Sequence, residues 1–140
     1  MTQWSCQKGN TLLIPSGSRE GHKHLFAVML EPAVLADSGY GSKPIVLLAC
    51  LTSVVNNAPL ENTCLLGKDD HPFIEHDSFV DYRFTRIEQA DVVEKRVQEG
   101  VFIAKDACSA DVLKRIIQGA LKSRRIDRKL KLVLEKVLFC

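Results

Sequence analysis

The sequence predicts an α+β fold, a small β-barrel with appended helices, the last of them basic. Three observations predict it. Short apolar runs cut by turn residues fill the first part of the chain, a helical period takes over after Ser109, and the charge changes sign along the way. At 140 residues the chain is the size of one ordinary domain. The expected organisation is therefore a single domain over 1–140, with the barrel at about 8–107 and the C-terminal helices at about 109–139.

Taken in order, residues 10–14 form an apolar run ended by Pro15-Ser16-Gly17-Ser18, and residues 24–30 form another ended by Glu31-Pro32. Residues 44–51 are apolar throughout and run into a polar stretch ending Asn56-Asn57-Ala58-Pro59. Strands apolar at successive positions must be covered on both faces, as in the interior of a small barrel. Residues 63–66 give a shorter fourth strand. Residues 79–87 then alternate, with Val80, Tyr82 and Phe84 on one side and Asp81, Arg83 and Thr85 on the other. A short helix over 90–99 is stopped by Gly100, and residues 101–104 return to strand. Ser109 is a good N-cap, and Leu113, Ile116, Ile117, Ala120 and Leu121 share one helical face behind it. Asp127 caps a last helix whose Leu130, Leu134 and Val137 stripe faces either the core or a partner.

Composition narrows the class. Apolar residues make up 46% of the chain and charged residues 26%, as in soluble globular domains. The longest apolar stretch has eight residues, against about 20 for a spanning helix. The start Met1-Thr2-Gln3-Trp4-Ser5 has no basic or apolar leader pattern, which predicts a cytoplasmic chain without a membrane partner. Five scattered cysteines, with no C-x-x-C among them, predict free buried thiols rather than a disulfide framework or a zinc site. Residues 1–110 carry ten Lys/Arg against fourteen Asp/Glu, and residues 111–140 carry nine against three. A tail so basic suits nucleic acid phosphates, an acidic protein, or simply a solvated helix face.

Two features bear on chemistry. The histidines fall in two pairs, His22/His24 and His71/His76, and imidazole exchanges protons near neutral pH. A metal site built from all four is a sharper alternative, without support from a helical H-x-x-x-H or a carboxylate triad. Thr52-Ser53 ends the long apolar strand, where hydroxyls leave the core and can hold a phosphate oxygen or only satisfy local backbone. No G-x-S-x-G elbow, phosphate-binding glycine loop or dinucleotide fingerprint is present, so no metal or cofactor is expected.

With Lys8-Gly9-Asn10-Thr11-Leu12-Leu13-Ile14, His24-Leu25-Phe26-Ala27-Val28-Met29-Leu30, Leu48-Ala49-Cys50-Leu51-Thr52-Ser53, Ser78-Phe79-Val80 and the helix after Ser109, the chain resembles the MazF/PemK family of toxin endoribonucleases over residues 8–123. The resemblance implies an SH3-like barrel, usually a homodimer, that cleaves single-stranded RNA without a metal and is held off by an antitoxin protein. Thr52 stands where the family has its catalytic hydroxyl. Leu25-Phe26, preceded by Lys23 and His24, stands where the family has Arg-Pro. On this reading His24 and His71 share the acid and base roles with Thr52 as the third catalytic residue, while Lys23, Ser53, His76 and Arg83 bind RNA. Phe73, Phe79 and Tyr82 either stack on bases or fill the core. The competing reading is a non-catalytic barrel that binds a protein or nucleic acid.

Overall fold

A computed structural model describes residues 4–16, 22–35, 39–55 and 58–139. The predicted turn at Gly17-Ser18, the Asn56-Asn57 pair and Cys140 lie outside the described residues. Seven strands and three helices follow one another as β1 (Thr11–Pro15), β2 (Lys23–Val28), β3 (Ile45–Ser53), β4 (Leu65–Leu66), β5 (Ser78–Val80), β6 (Arg86–Gln89), α1 (Ala90–Gln98), β7 (Ile103–Lys105), α2 (Ala110–Lys122) and α3 (Arg128–Phe139).

All strand pairings are antiparallel, in the order β4-β5-β3-β2-β1-β7, with β6 also on β3. Among the described residues no pairing joins β4 to β7, so the sheet is open where a closed barrel was expected. The apolar runs have another cause. Leu25, Ala27, Leu47, Ala49 and Leu51 point to one core, which α2 and α3 cover through Ile116, Ala120 and Leu134. Phe26, Val28, Val46, Leu48 and Cys50 point to a second core, closed by Cys6, Ala90 and Val93 with Trp4 and Phe102. Period alone cannot tell a barrel interior from a sheet coated on both faces.

Residues 79–87 were expected as one alternating strand. They do run along β3, with Leu51 opposite Val80 and Leu48 opposite Arg86, but a single 3-10 turn (Tyr82–Phe84) interrupts them. Asp81 starts that turn by accepting the Arg83 N–H on its carboxylate. The alternation therefore fails at its centre, where Tyr82 is fully buried and Phe84 is exposed.

The Tyr82 hydroxyl donates to the Ile116 carbonyl of α2 at 2.6 Å, and Gly119 leaves room beside it. Burial drives the Tyr82 phenol far above its ordinary pKa, which keeps it a donor. Ser109 caps α2 as expected, accepting the Val112 N–H at 3.2 Å. The α3 stripe turns inward, Leu134 fully buried and Leu130, Val133 and Val137 packed against the first core. Among the described residues no helix is long and apolar enough to cross a membrane. Cys6, Cys50, Cys64 and Cys108 are free thiols, as expected.

Candidate functional site

Continuing the β2/β3 register past Leu25 opposite Leu51 sets His24 beside Thr52, at the end where both strands leave the core. Both residues line two adjoining cavities. One, of about 530 Å³, is bounded by Lys23, Ser53, His76 and the loop residues Phe73, Ile74 and Glu75. The other, of about 420 Å³, is bounded by Phe26, Cys50, Asp81, Arg83, Phe84 and Arg86. The structure thus gathers six of the expected residues, His24, Thr52, Lys23, Ser53, His76 and Arg83, around one cleft.

His24 is oriented. Its Nδ1 lies 2.6 Å from Ser16 Oγ, and Ser16 donates its hydroxyl to the Ile14 carbonyl at 3.1 Å. Ser16 has one hydrogen, so both contacts are satisfied when His24 Nδ1–H donates to Ser16. The lone pair is then on Nε2, which makes no hydrogen bond to the described residues. Partial burial and the neighbouring His22, whose ring centroid is 4.6 Å away, hold the His24 pKa below its ordinary value. Neutral imidazole with a free Nε2 is the form that accepts a proton. The Thr52 hydroxyl likewise makes no hydrogen bond to the described residues.

The 3-10 turn carries Arg83 to the cleft rim. Asp81, 2% exposed, grips it in a fork, Nε to Oδ1 at 3.0 Å and Nη2 to Oδ2 at 2.7 Å, leaving Nη1 for a ligand. Arg86 reaches the same cavity from β6, held by Glu88 at 3.0 Å and lying 5.7 Å from the Phe26 ring centroid. Cys50 lines the cavity too, but burial pushes its thiol up to about 12, so it is no nucleophile near neutral pH.

His71, expected to share the acid and base roles, lies outside both cavities. It is buried, its Nε2 bonded to the Asp106 carbonyl at 2.5 Å and its Nδ1 accepting the Phe73 N–H at 3.0 Å. Both ring nitrogens serve the fold, and the residue lines neither cavity. What it does is position the 71–74 loop, since its carbonyl also accepts the Ile74 N–H at 3.0 Å. The four-histidine metal site fails with it; among the described residues no three His, Cys, Asp or Glu converge to hold a metal. Of the aromatic candidates, Phe79 and Tyr82 are core, while Phe73 is exposed on the cleft wall.

Sequence reasoning missed Arg86, Ser16 and the pairing of Asp81 with Arg83. The Asp-x-Arg spacing was a signal for the last, because side chains two apart lie on the same side of an extended segment, as Arg86 and Glu88 also do. Ser16 lies just past the Ile14/His24 register pair, close enough in the hairpin to reach the imidazole. No protein-family model, no curated protein and no solved structure matches this chain.

Proposed function

We propose that this chain is a metal-independent endoribonuclease acting on single-stranded RNA, the toxin of a toxin–antitoxin pair. The carrying observation is that His24 Nε2 and the Thr52 hydroxyl, both without hydrogen-bond partners among the described residues, line one cavity with two arginines.

In this proposal His24 Nε2 takes the proton of a ribose 2′-hydroxyl, and that oxygen attacks the adjacent phosphorus. The bond from phosphorus to the 5′ oxygen breaks, His76 across the cleft gives that oxygen a proton, and a 2′,3′-cyclic phosphate remains. Thr52 donates to a non-bridging oxygen, while Arg83 and Arg86 offset the charge that builds on the phosphorane. Phe73, exposed at the first cavity, and Phe84, exposed at the second, offer stacking faces to unpaired bases. We read the scaffold as a partly open relative of an SH3-like barrel, because the long β3 pairs β2 on one edge and both β5 and β6 on the other while the described strands leave the sheet unclosed. A homodimer and an inhibiting antitoxin complete the proposal.

A second reading has its own observation. Both arginines are already paired with carboxylates, Asp81 and Glu88, which suits a non-catalytic site that recognises RNA by stacking and by the remaining N–H groups. Incubation with a long single-stranded RNA, with and without EDTA, separates the two. Fragments ending in cyclic phosphate, formed equally in EDTA and lost in His24→Gln, support the nuclease. Intact RNA together with tight binding and harmless expression supports the binding module.

A further inference from the structure

From the end of α2 into the start of α3 the chain carries six cations, Lys122, Arg124, Arg125, Arg128, Lys129 and Lys131. All but the half-buried Lys131 are exposed. Among the described residues none of the six makes an ion pair, whereas Arg115 on the same side of the chain spends its charge on Asp70 and Asp111. Asp127, the one acid in the segment, is occupied by the backbone, accepting the Lys129 N–H at 2.8 Å on its side chain.

The turn is held in place and joined to the cleft. Ser123 donates its hydroxyl to the buried Glu61 carboxylate and accepts the Arg125 N–H at 3.1 Å, while Ile126 is buried in the first core. The other Glu61 oxygen accepts the backbone N–H of Tyr82 at 3.4 Å, one residue before Arg83. One carboxylate thus ties the basic turn to the arginine wall of the cleft. No exposed apolar side chain lies between Lys122 and Lys131; the exposed Leu132 follows on α3, beside a groove that it lines with Leu130 and Val133. Protein partners are held by buried aromatic or aliphatic anchors, which the turn lacks. A flexible polyanion needs only unpaired charge.

We infer that this turn is a phosphate track for single-stranded RNA, binding the backbone beyond the cleft on the Arg83 side. It rests on the RNA reading of the cleft and adds where the rest of the strand lies. Each phosphate contact on a single strand contributes about 0.7 to the slope of log affinity against log salt. Replacing Arg124, Arg125 and Arg128 together therefore lowers that slope by about 2 and weakens binding at 0.1 M salt by about 100-fold.

The test uses a fluorescein-labelled 20-nucleotide 2′-O-methyl oligouridylate, which binds but has no free 2′-hydroxyl to react. Its affinity is measured by anisotropy across a salt series. The triple variant Arg124→Gln, Arg125→Gln, Arg128→Gln should show the shallower slope with an unchanged melting temperature. A control replacing the exposed Lys8, Lys43 and Lys95 by Gln should keep at least 1 unit more of the slope. Equal losses in the two variants would reduce the effect to net charge and overturn the track. So would an unchanged slope in the triple variant, or a loss seen for polyglutamate and not for the oligonucleotide. If wild-type protein leaves unmodified RNA intact while the triple variant still loses the slope, the cleavage reading falls and the track stands.

Discussion

Gly119 sits inside α2, where host measurements favour alanine by about 0.8–1.0 kcal/mol, so propensity alone predicts that Gly119→Ala stabilises the protein. The packing predicts the reverse. A methyl group there would press on the Tyr82 hydroxyl and come within 3.0 Å of both Cys64 Cβ and the Thr63 carbonyl oxygen. Two of these neighbours have little freedom: the carbonyl is backbone, and the hydroxyl is committed to Ile116. Overpacking costs about 1–3 kcal/mol, and displacing the Tyr82 hydrogen bond adds about 0.5–1.5. Set against the helix gain, the net is a loss of about 1–3 kcal/mol, read as a fall of about 3–10 °C in melting temperature for a chain of this size. Thermal and urea denaturation followed by circular dichroism would measure it. Tyr82→Phe removes the atom nearest the new methyl, so the same substitution should cost less in that background. A Gly119→Ala protein that melts at or above wild type would refute the reasoning, because helix propensity would then have outweighed the contact between α2 and the 3-10 turn.

His24 binds its proton less readily in the fold than in the unfolded chain, so stability should decline as pH falls below about 6.5 and the unfolded state takes up the extra proton. With one imidazole as base and another as acid the cleavage profile should be bell-shaped, and His22→Ala should move its rising limb to higher pH by removing a neighbour that opposes charge on His24; an unmoved rising limb would count against His24 as the base. His71→Ala should cost about 2–4 kcal/mol in urea melts by emptying a buried site and removing the partner of both the Phe73 N–H and the Asp106 carbonyl, while folded protein keeps its cleavage rate within about tenfold. Full stability with lost activity would return His71 to the chemistry. Asp81→Asn should weaken the fork on Arg83 and raise KM for RNA more than it lowers kcat; an unchanged KM would show that the fork does not place Arg83. A chain ending at Ser123 should lose cooperative unfolding, since Leu134, Val133 and Leu130 would no longer cover the first core; an unchanged melt would make α3 an accessory rather than part of the core.

Local signals were readable in the sequence and long-range ones were not. Ser109 with its helical period announced α2, and the punctuated apolar runs located β1, β2 and β3 to within a few residues. What the runs could not say was whether their second face met another part of the same sheet or a separate layer made by α1 and the N-terminal segment. His24 and His71 look alike in sequence. Their difference was decided by Thr11 and Asp106, 60 and 35 residues from His71, which meet it only after β1 and β7 pair. The break at residues 81–85 was hidden because Asp81, Tyr82 and Arg83 continue an alternating pattern. A buried aspartate capping its own turn outweighed that pattern.

The same break separates two jobs within a few residues. β5 and β6 are both fastened to β3, so the segment between them is closed at each end by its own anchors. Within it Asp81, Tyr82 and Thr85 are buried and only Arg83 and Phe84 face out, so recoding those two positions would leave the register on either side undisturbed. His24 and Thr52 belong to the fastened part and Arg83 and Phe84 to the exchangeable one. Under the proposed function, substrate preference could therefore be retuned at the exposed Arg83 and Phe84 alone, while the buried Asp81, Tyr82 and Thr85 hold the turn and β2 and β3 hold His24 beside Thr52.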